Sequence, residues 1–191
     1  MRHYGIVLHR FFPKKYTIAL LDSQLGRIDA VVRYDTAMLG ALISYEIEYK
    51  RTTYFIQAVQ IEDAPLALAQ SDILFLHHVL ELCYHFMPVG SCVADMFELV
   101  QFIYKPVQHN MFIKKIFLFK LLYTLGMSAP EEHEHGFFEY LATVSIDTLD
   151  AKQLDLTYEK KLDRWLLYCM AEYTDIQTLK TIHFLVKSRV A

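Results

Sequence analysis

Basic side chains and aromatic rings are concentrated near the start of the chain, where HRFFPKKY occupies positions 9–16. Lysine and arginine can neutralise the phosphates of a nucleic acid strand, and aromatic rings can stack on its bases. An ordinary solvated surface with one ring in the core is the alternative, because adjacent residues of a strand face opposite sides. The predicted nucleic-acid contacts are Arg2, Arg10, Lys14, Lys15, Arg27, Arg33, Tyr34, Lys50 and Arg51.

The densest group of metal-ligating residue types is EEHEH, at positions 131–135. Histidine and carboxylate suit divalent metals, but the spacing is not HExxH and it places no further ligand. A solvated acidic loop is favoured, and whether His133, Glu134 and His135 bind a metal stays open. The three cysteines form no CxxC pair, which argues against a thiolate zinc site. Without a phosphate-binding glycine loop or a nucleophile elbow, we expect a protein that uses no cofactor and is not an enzyme.

Charge is unevenly distributed along the chain, although its total is only −3. Residues 1–60 carry eight Lys/Arg and five Asp/Glu, a net +3, whereas the remainder carries 11 and 17, a net −6. This change of sign suggests two modules, the first facing an anion. The longest uncharged stretch, Leu82–Ala94, is too short to span a bilayer, and the start lacks the apolar region of a signal peptide. We therefore expect a soluble cytoplasmic protein without membrane contact.

Two kinds of secondary structure must position these residues. In the first sixty residues, period-two alternation, clearest in ISYEIEY at 43–49, predicts five short strands. Because no room is left for crossover helices, the strands imply an antiparallel closed or nearly closed barrel. From Ser71 onward the apolar period is 3.6, which predicts five or six helices. The fold class is therefore α+β, a barrel followed by a helical bundle.

Capping and helix-breaking residues indicate where the predicted helices begin and end. Ser71 or Asp72 caps a helix that runs to about Phe86. A second apolar stripe spans 93–104 and stops before a proline. MFIKKIFLFKLLYTLG, at 111–126, is apolar on nearly all sides and predicts a buried central helix. Two further amphipathic stripes lie within 158–169 and 176–186.

The order of these features resembles the start of RecO, the bacterial recombination mediator family. The matching features are an Ile-Val-Leu strand at 6–8, the PKKY turn, the strand TIALLD and the pair Gly26-Arg27. The resemblance continues through SYEIEYKRTTYFIQAVQIED and SDILFLHHVLELCYHFMP to FLFKLLYTLGMSAPE. It covers nearly the whole chain and rests on order and spacing.

The resemblance implies a five-stranded OB-fold over residues 1–65 and a helical domain over residues 70–191. It implies binding of single- and double-stranded DNA, annealing of complementary strands, and a role in DNA repair and recombination at the bacterial nucleoid. The implied partners are RecR and the C-terminal tail of the single-strand-binding protein, so that a recombinase can load. Many members carry a four-cysteine zinc site after the central helix, where this chain has EEHEHGFFEY and no cysteine.

Two alternatives to DNA annealing stay open. A protein–protein adaptor would keep the fold with little DNA affinity and bind an acidic, hydrophobic peptide in a groove on the helical domain, through apolar walls and a few cations. The candidate cations for that partner are Lys114, Lys115, Lys180, Lys187 and Arg189. An enzyme would use the His/Glu segment around His133 and His135.

Overall fold

The protein divides into two compact units, Met1–Pro106 and Val107–Ala191. The computed structural model describes residues 2–11, 16–32, 38–93, 95–105, 110–127, 135–146 and 156–173.

Five strands form the first part of the structure: β1 Arg2–Arg10, β2 Thr17–Asp22, β3 Gly26–Val32, β4 Leu42–Lys50 and β5 Thr53–Asp63. They close into an OB-like barrel in the order β1-β2-β3-β5-β4, which confirms the predicted α+β class and the closed barrel. The β3–β5 pairing is parallel, although the sequence predicted antiparallel strands throughout. An odd number of strands cannot close into a ring with every neighbouring pair antiparallel, so one parallel pair is required.

Alternation along the strands builds the barrel interior. In β3 every second residue is buried, from Gly26 to Val32, and the interior contains Val7, Leu20, Ile28, Ile43 and Ile56. Burial of such side chains supplies the main driving force for closing the barrel.

A buried polar network closes one end of this core. The Asp22 carboxylate accepts hydrogen bonds from the backbone amides of Gln24 and Leu25 at 2.7 and 2.8 Å. The same carboxylate accepts the Tyr45 hydroxyl at 2.6 Å and lies 3.1 Å from Nδ1 of His3. Burial and the neighbouring Asp22 charge raise the pKa of Tyr45, which therefore stays a neutral donor.

Six α-helices and one 3-10 helix follow in the described residues. They are α1 Leu66–Ser71, α2 Ile73–Phe86, α3 Met96–Val100, the 3-10 helix Gln101–Tyr104, α4 Met111–Thr124, α5 His135–Thr143 and α6 Leu156–Tyr173. Asp72 caps α2 by accepting the Phe75 amide at 3.0 Å, as predicted. The stripe at 93–104 is helical only from Met96 and tightens to 3-10 geometry. The predicted helix at 176–186 lies outside the described residues.

The change from strand to helix falls between Asp63 and Leu66, whereas the sequence predicted helical periodicity only from Ser71 onward. The compact units divide later, after Pro106, because α2 packs against β1 and the Tyr104 hydroxyl donates to the Gly40 carbonyl at 2.7 Å. The first three helices therefore belong to the same unit as the barrel. Among the described helices, none has the length and apolar character needed to cross a membrane.

Candidate nucleic-acid interface

The barrel has one outer side that is closed off by protein. Outward-facing Ile6, Ala19 and Leu21 are almost fully buried, and α2 packs against this side of β1. We call these three residues, with His9 and Arg27, the covered wall. The His9 ring stacks on Tyr84 of α2 with centroids 4.5 Å apart. No strand of nucleic acid can reach this wall while α2 is in place.

Arg27 lies in the covered wall, where its guanidinium contacts α2. Its guanidinium donates to the backbone carbonyls of Tyr84 and Met87, the latter at 3.3 Å. It also lies 4.3 Å from the centre of the Tyr84 ring, and its side chain is 12% exposed beside Asp29, 3.6 Å away. These contacts hold the end of α2 on the barrel and leave little of Arg27 for a phosphate. The sequence could place Arg27 on a strand but could not foresee the helix above it.

Another part of the outer surface of the barrel, formed by β3, β5 and β4, is open and carries a groove. Strand pairing sets Val31 of β3 beside Phe55 of β5, and Phe55 beside Glu48 of β4. Paired residues face the same side of a sheet. The groove has a volume of about 320 Å³ and is lined by Val31, Glu48, Lys50, Phe55, Ile56 and Gln57. The outward-facing residues of this groove are Val31, Glu48, Lys50, Phe55 and Gln57. We call these five residues, together with Arg51, the hairpin face.

The hairpin face ends at the β4–β5 turn, where two predicted cations are exposed. Lys50 pairs with Thr53 across the turn, so that only two residues connect the strands. Arg51 adopts a φ of 59°, a left-handed conformation that is uncommon for residues with a Cβ atom. Just inside the turn, the Tyr49 and Tyr54 rings pack with centroids 4.8 Å apart, and Tyr49 is 60% exposed. The turn thus presents cations beside accessible rings.

The hairpin face carries charges of both signs. Lys50 Nζ lies 2.9 Å from Glu48 Oε2, with both side chains at least half exposed. An ion pair this exposed contributes at most about 1 kcal/mol and rearranges readily. Further along the same side, Arg2 faces Glu46 in register and donates to the Gln60 side chain. The surface is therefore only mildly attractive to a polyanion.

The remaining predicted DNA contacts are not gathered on this face by the described structure. Arg10, at the end of β1, lines a different groove with Met38, Leu39 and Leu66. Lys14, Lys15, Arg33 and Tyr34 lie outside the described residues. Tyr16, which follows the two lysines, is exposed, and its carbonyl accepts the Val32 amide at 2.7 Å.

Of the cations predicted to bind a partner, Lys114 and Lys115 are buried on α4, and the others lie outside the described residues. Lys115 is 5% exposed and donates to Glu159 at 2.7 Å, with Asp163 at 2.8 Å. Although burial lowers the pKa of Lys115, hydrogen bonds and charges of Asp163 and Glu159 together raise it. Lys114 is buried as well, in keeping with the predicted buried helix. Lys180, Lys187 and Arg189 lie outside the described residues.

The described residues hold no group of three or more His, Cys, Asp or Glu side chains that could ligate a metal. His133 and Glu134 lie outside them. Cys83 and Cys169 are buried, and burial raises the pKa of each thiol to about 12. Neither thiol is therefore an available nucleophile at neutral pH.

Sequence reasoning missed four residues of the hairpin face: Val31, Glu48, Phe55 and Gln57. Alternation alone places Phe55 and Gln57 on one side of β5. The parallel β3–β5 pairing that brings Val31 to them joins residues of non-consecutive strands, which no local pattern specifies.

The fold and its open face define an OB-like barrel with a mixed-charge, aromatic groove, joined to helices. No protein-family model matches the sequence, and no curated protein shows a significant match to it. The resemblance to RecO accordingly stays a prediction.

Proposed function

We propose that the protein is a RecO-like recombination mediator, which binds DNA, anneals complementary strands, and acts with RecR and the single-strand-binding protein tail in the bacterial cytoplasm. The observation that carries the proposal is the open outer side of an OB-like barrel, on which Lys50, Arg51 and Phe55 lie beside one groove. Barrels of this type bind nucleic acid strands on one face and its loops. The chemistry is strand positioning, without a bond made or broken, so we propose a protein that is not an enzyme.

Two features of the hairpin face favour a strand over a small molecule. Its groove is open to solvent along β5, and Phe55, 38% exposed, offers a ring to a base. Lys50 and Arg51 stand at one end, where a sugar–phosphate backbone would pass. Lys14 and Lys15 connect β1 to β2 in the sequence and add to the positive charge of this unit.

A salt titration tests the proposal. Fluorescence anisotropy with labelled single-stranded DNA is expected to show affinity that falls as salt rises, because each neutralised phosphate releases counterions. On an all-thymidine strand, where both cations can contact phosphates, the double variant Lys50→Ala/Arg51→Ala is expected to reduce the salt slope by about 1.4, or about 0.7 for each lost phosphate contact.

Lys160→Ala/Arg164→Ala is the matched control. Both side chains are exposed on α6, and their substitution removes the same amount of charge as the Lys50/Arg51 variant. Its slope is expected to equal that of the unchanged protein. Equal loss of binding in both variants would show a net-charge effect and remove the hairpin face as the site. Absence of binding at low salt would overturn the DNA-binding function.

A second candidate function, the protein–protein adaptor, is favoured by an apolar groove in the first unit. This groove, about 360 Å³, is lined by Met38, Leu39, Leu66 and Ile73, with Arg10 and His77 as its ionisable residues. The four apolar side chains are each at least 38% exposed, and exposed apolar clusters mark interaction sites. Among the described residues, no carboxylate lines the groove, so a peptide that is both hydrophobic and acidic suits it better than a basic one.

The adaptor predicts partner binding without DNA binding. Ile73→Asp should abolish capture of RecR or of an acidic tail peptide while leaving DNA affinity unchanged. The matched control is Leu74→Asp, which places the same charge on the neighbouring exposed residue outside the groove lining. Partner binding that survives Ile73→Asp would exclude this groove.

A further inference from the structure

The hairpin face contains an acid, Glu48, that a phosphate-binding surface does not need. Glu48 lies in the groove itself, 2.9 Å from Lys50. A carboxylate close to a phosphate is repelled, whereas a carboxylate close to the N–H groups of a base accepts hydrogen bonds. The position of Glu48 beside the Phe55 ring therefore favours contact with a base edge over contact with the backbone.

The Lys50–Glu48 pair places a donor group beside acceptor oxygens, and because the pair is exposed, a base can replace its internal contact. Lys50 is a donor, and the adjacent Glu48 carboxylate has two acceptor oxygens. The Watson–Crick edge of guanine carries the complementary order: the acceptor O6, then the donors N1–H and N2–H2. Thymine would set O2 against the carboxylate, and cytosine and adenine can offer the carboxylate only one amino group. Guanine is the base that places two neighbouring donors on the carboxylate and an acceptor on the ammonium at the same time.

The groove is built to receive one ring. Val31 and Phe55 supply apolar walls, and Gln57 supplies a further amide beside them. A volume of about 320 Å³ leaves room for one flat base stacked on Phe55, an arrangement that single-strand-binding barrels use. In a duplex the Watson–Crick edge is already paired, so the site can read only an unpaired base.

We propose that this groove is a subsite for one unpaired guanine, with Glu48 accepting from N1–H and N2–H2, Lys50 donating to O6 and Phe55 stacking on the ring. The inference rests on the proposed DNA-binding function and gives it a substrate preference. The protein would bind single-stranded DNA more tightly where a guanine reaches the groove.

Three labelled oligonucleotides of about 12 nucleotides, within the range that one such barrel covers, test the subsite by anisotropy. One is all thymidine, one has a single central guanosine, and one has inosine in its place, which lacks the N2 amino group. The guanosine strand is expected to bind about tenfold more tightly than the thymidine strand, as for one bidentate base contact. The inosine strand should lose most of that gain.

Glu48→Gln supplies the decisive comparison. It is expected to abolish the guanosine preference and to tighten thymidine binding, since a negative charge is removed. Glu46→Gln, on the same strand and exposed but outside the groove lining, is the matched control and should keep the preference. Circular dichroism melting checks that both variants fold.

The outcomes separate the subsite from the function. Salt-sensitive binding with equal affinity for all three strands overturns the subsite and leaves DNA binding intact. A guanosine preference that survives Glu48→Gln, or tighter binding of a fully paired duplex, also overturns it. Failure of every strand to bind at low salt overturns both the subsite and the proposed function.

Discussion

The covered wall and the hairpin face lie on the outside of one barrel, yet they use the same residue type in opposite ways. Arg27 donates to backbone carbonyls under α2, whereas Arg51 is exposed at a strained turn. A cation committed to internal acceptors stabilises the fold, and a cation in solvent stays available for a ligand. The comparison shows that the role of an arginine in this barrel depends on which neighbour covers it.

Arg27→Ala should lower the free energy of unfolding more than any other substitution in the barrel, because it weakens the contact between α2 and the covered wall. It removes a nearly buried cation from two carbonyls, a ring and Asp29, and we expect a loss of about 3–4 kcal/mol in the free energy of unfolding. Urea denaturation measures it. Arg51→Ala is the matched variant and should change stability little while weakening DNA binding. Similar losses of stability in both variants would contradict the distinction between the two regions.

His78, on the helix α2 that packs against the covered wall, should make stability depend on pH. Burial lowers the pKa of His78 from 6.5 to about 4, so the unfolded chain takes up the proton first. Stability from neutral His78 is therefore lost as pH falls from about 6.5 to 4, by roughly 3 kcal/mol. Denaturation across this window should show a shallower fall in His78→Gln than in His77→Gln, whose side chain is exposed. Equal slopes would refute the assignment.

Gly5→Ala should destabilise the barrel from a buried position on β1. An added Cβ would lie 2.9 Å from the Tyr45 hydroxyl oxygen and 3.4 Å from the Leu21 carbonyl. Tyr45 cannot yield easily because it is buried and bonded to Asp22, so we expect a cost of about 2 kcal/mol. Gly136→Ala, where nothing lies within 4 Å, should instead be neutral or stabilising, as thermal melts will show.

Arg51→Gly should have the smallest effect on the free energy of unfolding, and it should raise that energy, whereas Arg27→Ala and Gly5→Ala lower it. Glycine adopts positive φ without steric cost, so relief of the turn should add up to about 1 kcal/mol, partly offset by the entropy of the unfolded chain. DNA binding should weaken as much as in Arg51→Ala, because both variants remove the same charge. A glycine variant that is less stable than the alanine variant would show that the turn is not strained.

Local pattern was enough to predict the strands and most helices. The alternation in β3 and β4 and the Asp72 cap of α2 involve neighbours along the chain, so they can be read directly. A closed barrel with helices after it was therefore predicted. The grouping of α2 with the barrel was not, since it depends on contacts such as Arg27 with Tyr84, 57 residues apart.

The amino-acid sequence by itself determined which residues alternate, where α2 begins and that the first sixty residues carry a positive excess. Only the tertiary structure decided which cations remain in solvent and which side chains share the groove. The physical reason is that burial and strand pairing join distant segments. The parallel pairing of Val31 with Phe55 and the cover of α2 over Arg27 follow from how the whole chain closes, and no stretch of residues specifies them alone.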